Sequence, residues 1–196
     1  MTSPLLQINH LKVNRQDTII CNVEEFEIQP RERVAVIGPN GSGKTTLLRV
    51  IAQLESSYSG DILIDPALSQ SIYVHQTPVM FRGTVLFNAS YGLICQGVPP
   101  QDRETVAMTA LETLGIASLA HRSCRQLSGG EKRRVAIARA AIVKPALLLL
   151  DEPFADIDQT GSDAICELLF SLTETAIVVA SPQPVPHQLD CRKFEI

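Results

Sequence analysis

A glycine-rich segment constrains the fold of this chain more than any other part: Gly38-Pro39-Asn40-Gly41-Ser42-Gly43-Lys44-Thr45. It follows the compact apolar run Arg33–Ile37, which is typical of a strand buried on both faces. After it, apolar residues recur at helical spacing from residue 45 to residue 54. The sequence here predicts a strand, a tight turn and a helix, the opening of an α/β unit.

The same segment fits the pattern G-x-x-x-x-G-K-[ST] of a phosphate-binding loop. Glycines let successive N–H groups point at phosphate oxygens, and the following helix adds its positive end. Lys44 can bring a mobile charge to the β- and γ-phosphates, and Thr45 offers a hydroxyl to Mg²⁺. We therefore expect a nucleoside triphosphate with Mg²⁺. The predicted nucleotide-binding residues are Gly38, Pro39, Asn40, Gly41, Ser42, Gly43, Lys44, Thr45 and Thr46.

A second candidate element is the apolar run 147–150, which ends in Asp151 and Glu152. Asp151 can hold Mg²⁺ directly or through water, and Glu152 can orient the attacking water as a general base. A buried strand that simply ends in two acids is an equally common structural pattern. Beside a phosphate-loop lysine, the functional interpretation is favoured.

The third element is Leu127-Ser128-Gly129-Gly130-Glu131, which precedes an apolar helix. Ser128 and Glu131 fit a capping box, so a well-capped helix is the simplest structural interpretation. Paired glycines in a first turn reduce helix stability, however, and permit close approach of an anion to the helix end. The chain thus has two phosphate-binding helix ends, which two molecules could bring to one nucleotide.

Elsewhere strands and helices alternate along the chain. Residues 60–76 are predicted to form two short strands around a proline-containing turn. Residues 84–122 are predicted to be helical, with a break near 97–100 and Asp102 as a helix cap. Further helices are predicted at 129–143 and about 160–172, with strands at 146–150 and 176–180. This alternation predicts an α/β fold with a largely parallel sheet.

The charge balance limits the partners. The 196 residues include 17 Lys+Arg and 21 Asp+Glu, a net charge of −4, whereas broad nucleic-acid binding needs a basic face. We therefore expect no nucleic-acid partner. No apolar run approaches the roughly 20 residues that span a bilayer.

Residues 38–45, Gln76, 127–131 and 147–158 together resemble the ATP-binding subunits of ATP-binding cassette (ABC) transporters. The resemblance covers nearly the whole chain, and Leu-Ser-Gly-Gly-Glu is highly specific to that family. It implies one ABC-type P-loop ATPase domain over residues 1–196, with a mostly parallel central sheet and a small antiparallel β-subdomain. A helical subdomain at about 84–125 would be inserted between Gln76 and the Leu127–Glu131 signature.

The resemblance also implies functional roles. Two such domains would pair head to tail and trap two ATP molecules, with Ser128, Gly129 and Gly130 completing the other subunit's phosphate site. Gln76 would link the Mg²⁺ and γ-phosphate region to a transmembrane partner, and Asp158 would face the opposite subunit. The implied catalytic residues are Glu152, Gln76 and Lys44, and the implied metal ligands are Thr45, Gln76 and Asp151.

The stretch 77–85, continuing into Asn88 and 91–93, resembles the importer branch of the family, especially subunits that serve oxyanions such as tungstate, molybdate or phosphate. Met80 and Phe81 would suit an apolar groove for a partner helix. The resemblance implies a permease, a second copy in a homodimer and a solute-binding protein as partners. It places the subunit on the cytoplasmic face of the membrane.

The chain departs from the family pattern in three ways. Pro182 stands where a histidine usually follows the strand at 176–180, although His187 lies five residues on. The aromatic residue that usually stacks on adenine should fall near Asn14 or Arg15, and neither of these is aromatic. The segment from Thr45 to Gln76 is shorter than is usual in the family. We therefore expect reduced or differently organised hydrolysis, and a trimmed β-subdomain.

Two alternatives remain open at this point. One is an ATP-binding cassette with weak or no hydrolysis, which Pro182 favours and Glu152 opposes. The other is an ABC ATPase that does not serve transport. The chromosome-maintenance type needs long coiled coils for which the segment between the two nucleotide motifs leaves no room, and ribosome-acting types generally carry two cassettes. A P-loop kinase would leave the Leu127–Glu131 signature unused.

Overall fold

A computed structural model describes residues 3–66, 68 and 71–196. These residues form two compact units. The first contains the chain up to Tyr73 together with Pro145–Glu152 and Glu174–Ile196, and the second contains Val74–Lys144 and Pro153–Thr173.

An antiparallel sheet in the first unit has three strands: β1 (Leu6–Arg15), β2 (Thr18–Ile28) and β4 (Ser59–Ile64), in the order β2-β1-β4. Gln16 and Asp17 connect β1 to β2 with φ values of 45° and 64°, as a two-residue hairpin turn with matched twist requires. Strands β1 and β2 therefore form one long antiparallel hairpin. Part of the predicted turn between 64 and 71 (residues 67, 69 and 70) lies outside the described residues.

The second sheet, which belongs to this unit except for the last residue of β5, has the order β5-β6-β7-β3-β8. Its strands are β3 (Arg33–Ile37), β5 (Ser71–Val74), β6 (Leu147–Asp151), β7 (Ala176–Ser181) and β8 (Arg192–Glu195). The inner strands β6, β7 and β3 pair in parallel, and every residue of β6 and β7 is buried. Continuous apolar runs form these inner strands because both faces of the sheet are covered. The predicted mostly parallel sheet and small antiparallel sheet are confirmed.

Helix α1 (Lys44–Ile51) follows β3 and buries Leu47, Leu48 and Ile51. The predicted continuation to residue 54 is wrong. Gln53 has a φ of 58°, which ends the helix, and Leu54 is 58% exposed, so its apolar side chain does not continue the buried stripe.

The second unit is helical. It contains α2 (Val85–Cys95), α3 (Pro100–Thr113), α4 (Gly129–Ala141) and α5 (Gln159–Phe170), with single 3₁₀ turns at Ala117–Leu119 and Cys124–Gln126. The prediction that Asp102 caps α3 is wrong. The helix begins with Pro100 after Pro99, because proline fits the first helical position, and Asp102 lies in the first turn near the positive helix end.

Within the described part of the chain, no helix combines the length and apolar character needed to cross a bilayer.

Candidate functional site

The phosphate loop connects β3 to α1 in the first unit. Its conformation depends on glycine at two positions, since Gly41 and Gly43 have φ values of 85° and 101°. At Gly43 there is also no space for a side chain: a Cβ would lie 2.5 Å from the carbonyl oxygen of Ile20 and 3.0 Å from Cys21 Cα. The backbone of β2 therefore packs directly against the loop.

Lys44 lies inside this loop and is only 5% exposed. Its Nζ donates hydrogen bonds to the carbonyl oxygens of Gly38 and Pro39, each at 2.8 Å. The loop is thereby curled around an ammonium group, the geometry in which a lysine can also meet phosphate oxygens.

Ser42 supplies the observation that tests whether the loop fits an anion. Its Oγ is buried and has no hydrogen-bond partner among the described residues. A buried hydroxyl without a partner is costly, and an oxyanion bound in the loop would accept its hydrogen bond. The residues of this loop fit a nucleotide phosphate.

Thr45 and Asp151 bring the two predicted metal-binding segments together. Thr45 Oγ1 lies 3.1 Å from Oδ1 and 3.0 Å from Oδ2 of Asp151, and donates to this carboxylate. Asp151 ends β6 and is 2% exposed. A hydroxyl and a carboxylate are hard oxygen ligands of the kind that Mg²⁺ prefers, so the pair fits Mg²⁺ beside the phosphate loop.

Tyr73 is a residue of this site that sequence reasoning missed. Its hydroxyl donates a hydrogen bond to Oδ2 of Asp151 at 2.9 Å. Burial raises the pKa of the Tyr73 hydroxyl well above its usual range, and the negative charge of Asp151 raises it further, so the group remains a donor. Only the proximity of its strand to Gln76 in the sequence could have drawn attention to it.

Glu152 follows Asp151 and has an unusual backbone. Its φ is 50°, and its N–H donates to the carbonyl oxygen of Ala180 at 2.9 Å. A non-glycine residue in this region is strained, and such strain is concentrated at functional sites. The bond to Ala180 fixes the backbone of the predicted general base on the neighbouring strand β7.

In the second unit, the first turn of α4 carries the predicted capping box. Ser128 N donates to the Glu131 carboxylate at 2.7 Å, and Glu131 N donates to Ser128 Oγ at 3.2 Å. The Ser128 N–H bond lowers the pKa of Glu131. Gly129 has open space around it, whereas a Cβ on Gly130 would lie 3.4 Å from the carbonyl oxygen of Asp156. The exposed Gly129 therefore leaves this helix end open to a ligand.

Gln76 and Asp158 also belong to the second unit. The carbonyl oxygen of Gln76 accepts a hydrogen bond from Arg133 at 3.1 Å. Asp158 Oδ1 accepts from Gly161 N at 2.9 Å and caps α5. The predicted site residues therefore fall into two sets, one in each unit. The first unit holds residues 38–46, Asp151 and Glu152, and the second holds Gln76, Ser128, Gly129, Gly130 and Asp158.

The residues at which the sequence departs from the family pattern lie at or after strand ends of the first unit. Pro182 directly follows β7, and His187 begins a 3₁₀ turn, His187–Leu189, farther along. Arg15 ends β1, and its guanidinium lies 3.5 Å from the Glu55 carboxylate.

The stretch after Gln76 presents an apolar surface. Val79 is 75% exposed, and the Phe81 ring stacks on Tyr91 with centroids 4.2 Å apart. Arg139 lies over Phe81, 5.0 Å from the ring centroid, and donates to the Val79 carbonyl at 3.0 Å. We call Val79, Phe81, Tyr91 and Arg139 the aromatic patch.

Comparison with known proteins agrees with this geometry. Residues 21–155 match the family described as ABC transporter. The molybdate/tungstate import ATP-binding protein WtpC of Pyrococcus horikoshii is 42% identical over 153 residues, covering 73% of this chain and 44% of that protein. The spermidine/putrescine import ATP-binding protein PotA of Legionella pneumophila is 35% identical over 184 residues, covering 89% and 50%.

A solved structure is also similar. CbiO1 of Clostridium perfringens, described as part of the ABC transporter complex CbiONQ, superimposes with a TM-score of 0.76 at 28% identity, covering 93% of this chain and 80% of that chain. The chain spans about half the length of the curated relatives it matches. Family match, fold and phosphate-loop geometry confirm the expectation from the sequence: the chain belongs to the ABC transporter family.

Proposed function

We propose that this chain is the ATP-binding and ATP-hydrolysing subunit of an ABC importer. The observation that carries the proposal is the contact between Thr45 and Asp151, which joins the phosphate loop to the acidic strand end. The family match and the import ATP-binding relatives support it. The first and second units together would form the single ATPase domain of residues 1–196.

In this proposal each predicted site residue of the first unit has a defined role. Lys44 binds the β- and γ-phosphates, and residues 38–46 hold the phosphate chain through backbone N–H groups. Thr45 and Asp151 would hold Mg²⁺, which supplies charge neutralisation between the phosphates. Glu152 orients the attacking water and accepts its proton as the water oxygen bonds to the γ-phosphorus and the bond to the β-phosphate oxygen breaks.

The second unit would complete the site of a second copy. Ser128, Gly129 and Gly130 offer a glycine-lined helix end to the γ-phosphate bound by the partner subunit. Asp158 would face that subunit, and Gln76 would contact the Mg²⁺ region and the permease. Nucleotide that bridges two copies favours the closed homodimer by mass action, so ATP binding would drive closure and hydrolysis would release it.

The aromatic patch supports a permease as partner. An exposed apolar group beside a cation is a surface on which a short apolar helix can dock. Binding there would place the chain on the cytoplasmic face of the membrane. The variant Val79→Asp should abolish permease association and leave ATP binding intact, while Val106→Asp on α3, also an exposed valine, should not affect association.

We propose an oxyanion such as molybdate or tungstate as the transported solute, with a solute-binding protein as a further partner. The similarity to the molybdate/tungstate relative supports this choice, while the polyamine relative names a different solute. The test is ATP hydrolysis by the complete transporter in vesicles. Molybdate-loaded binding protein should stimulate it, and stimulation by spermidine instead would reject the oxyanion.

Pro182 favours one alternative: a cassette that binds ATP but hydrolyses it weakly. Proline has no side-chain donor for the γ-phosphate or the water. Single-turnover hydrolysis separates the two cases, because a competent cassette converts bound ATP within one closure. If His187 takes over this role, His187→Ala should lower the single-turnover rate.

The central experiment uses the variant Glu152→Gln with Mg-ATP and size-exclusion chromatography. We expect a dimer with ATP and a monomer with ADP. Adding Lys44→Ala to the same variant is the control and should prevent dimerisation. A Glu152→Gln protein that stays monomeric at high ATP and protein concentration would contradict the closure model.

A further inference from the structure

Arg133 on α4 is a buried cation that the site described above does not use. It is 8% exposed, which places it among the few buried charged residues of the described chain. Its guanidinium donates to two backbone carbonyl oxygens, from Nη1 to Ala155 and from Nη2 to Gln76 at 3.1 Å. One side chain thus connects three segments that are distant in the sequence.

Each of these segments carries a residue of the proposed site. Gln76 is itself one partner of Arg133, and Ala155 lies three residues before Asp158. Arg133 lies one turn after Gly130 on the signature helix, so both occupy the same face of α4. A Cβ on Gly130 would lie 3.4 Å from the carbonyl oxygen of Asp156, an ordinary van der Waals distance, so the segment 155–156 passes beside α4 near Gly130 as well as at Arg133.

The contacts of Arg133 are not those that stability alone favours. Neither hydrogen bond goes to a carboxylate, and Nε is buried without a partner among the described residues. Burying a charge with incomplete compensation is costly, and an apolar side chain of similar volume is often as stable or more so. The planar guanidinium instead provides geometry, because its fixed fork holds two carbonyls at a set separation.

We propose that Arg133 is a positioning residue that locks the Gln76 loop and the Asp158 loop to the signature helix, so that the three segments move as one body. This inference rests on the proposed function, in which Gln76 contacts the permease while Ser128 and Asp158 face the second subunit. Arg133 transmits a displacement of Gln76 to the surface that closes on the partner's nucleotide. It touches no nucleotide itself.

Hydrogen exchange of the nucleotide-free monomer tests the lock directly. In Arg133→Met, amide exchange should rise at least about fivefold at residues 76–80 and 155–160 together, because both lose a common anchor. Exchange in α2 should not change. The exposed Arg125→Met, which carries the same substitution on the 3₁₀ turn before α4, should leave both segments as they are. Unchanged exchange in Arg133→Met would overturn the proposal.

A second experiment measures ATP binding and dimerisation in the Glu152→Gln variant. Adding Arg133→Met should leave the ATP Kd of the monomer within about twofold and raise the protein concentration needed for dimerisation at least about tenfold. Hydrolysis by Arg133→Met alone should show a lower kcat at unchanged KM. Arg133→Lys should be intermediate, since its compact ammonium cannot hold both carbonyls in a fork, and it substitutes for Arg133→Met if that variant does not fold.

Each outcome has one meaning. If Arg133→Met lowers ATP affinity and thermal stability together with dimerisation, Arg133 is structural and the proposal is wrong. Dimerisation equal to that of the Glu152→Gln parent also overturns it. If the Glu152→Gln parent itself never dimerises, the proposed function fails, and the exchange experiment still decides whether the lock exists.

Discussion

The hydroxyl of Tyr73 and the carboxylate of Asp151 are joined by a hydrogen bond of 2.9 Å. Asp151 therefore accepts hydrogen bonds from two sides, since Thr45 contacts the same carboxylate. The phosphate-loop threonine alone does not fix the orientation of this predicted metal ligand. The hydrogen bond from Tyr73 on strand β5 also holds the Asp151 carboxylate in place.

The variant Tyr73→Phe tests this anchor. Losing a donor to a charged acceptor weakens an interaction by about 1.5 kcal/mol, so the Mg²⁺ concentration for half-maximal Mg-ATP binding should rise about tenfold. Binding of ATP in the presence of EDTA should not change. Tyr58→Phe, at an exposed tyrosine, is the matched control. An unchanged Mg²⁺ requirement would show that Thr45 suffices.

Gly43→Ala and Gly41→Ala separate backbone strain from steric collision. Both positions have positive φ, which costs a non-glycine residue about 1 kcal/mol. Only Gly43 also faces backbone atoms at 2.5 Å, whereas a Cβ on Gly41 meets no atom within 4 Å. Gly43→Ala should therefore lose at least about 2 kcal/mol more stability in urea unfolding and most of its ATP affinity. Equal losses in the two variants would contradict this geometry.

Glu131→Gln probes the capping box through pH. The pKa of Glu131 is lowered in the folded protein, so its carboxylate stabilises the fold above the unfolded pKa of about 4.3, and the contribution is lost as the pH falls through the folded pKa. The carboxylate is largely solvated, which keeps the effect at pH 7 below about 1 kcal/mol. Urea unfolding should show the variant less stable than the parent at pH 7 and equal to it near pH 2. A difference that persists in acid would assign the effect to another contact.

Asn88→Asp should destabilise the second unit strongly. Asn88 is fully buried, accepts from Phe81 N at 2.8 Å and donates to the carbonyls of Phe81 and Thr84, each at 3.0 Å. A carboxylate there would face two carbonyl oxygens without a proton to donate, and the Arg139 guanidinium, 3.5 Å from Oδ1, would offset only part of the cost, which leaves a loss of about 2 kcal/mol. Denaturant unfolding measures the loss, with the exposed Asn22→Asp as control. A loss below about 1 kcal/mol would mean that the loop at 81–84 rearranges freely.

Some elements were predicted with accurate bounds because the residues of the element itself determine its structure. The run Arg33–Ile37 is apolar after its first residue since both faces of β3 are covered, and the observed strand has the same bounds. Strand β8 was missed because it pairs on one side only and its residues Arg192-Lys193-Phe194-Glu195 are mostly charged and exposed. Edge strands leave little apolar signal.

Two residues of the functional elements could not be found from the sequence for a different reason. The contact of Tyr73 with Asp151 depends on the spatial order of the strands, which local residue patterns do not encode. Arg133 was missed because a charged residue between polar neighbours on a helix is expected to be solvated. Its burial follows from segments that pack on α4 from more than 20 residues away in either direction, Gln76 and Ala155.

The close approach of Ile20 to Gly43 has a consequence for how substitutions in β2 act. The contact is made by a carbonyl oxygen, so the side chain at position 20 does not enter it. The width of the phosphate loop is consequently set by the path of a neighbouring main chain. Substitutions of the side chain at position 20 should leave ATP affinity almost unchanged. An insertion or deletion that shifts the β2 register by one residue would instead narrow or widen the phosphate-binding loop.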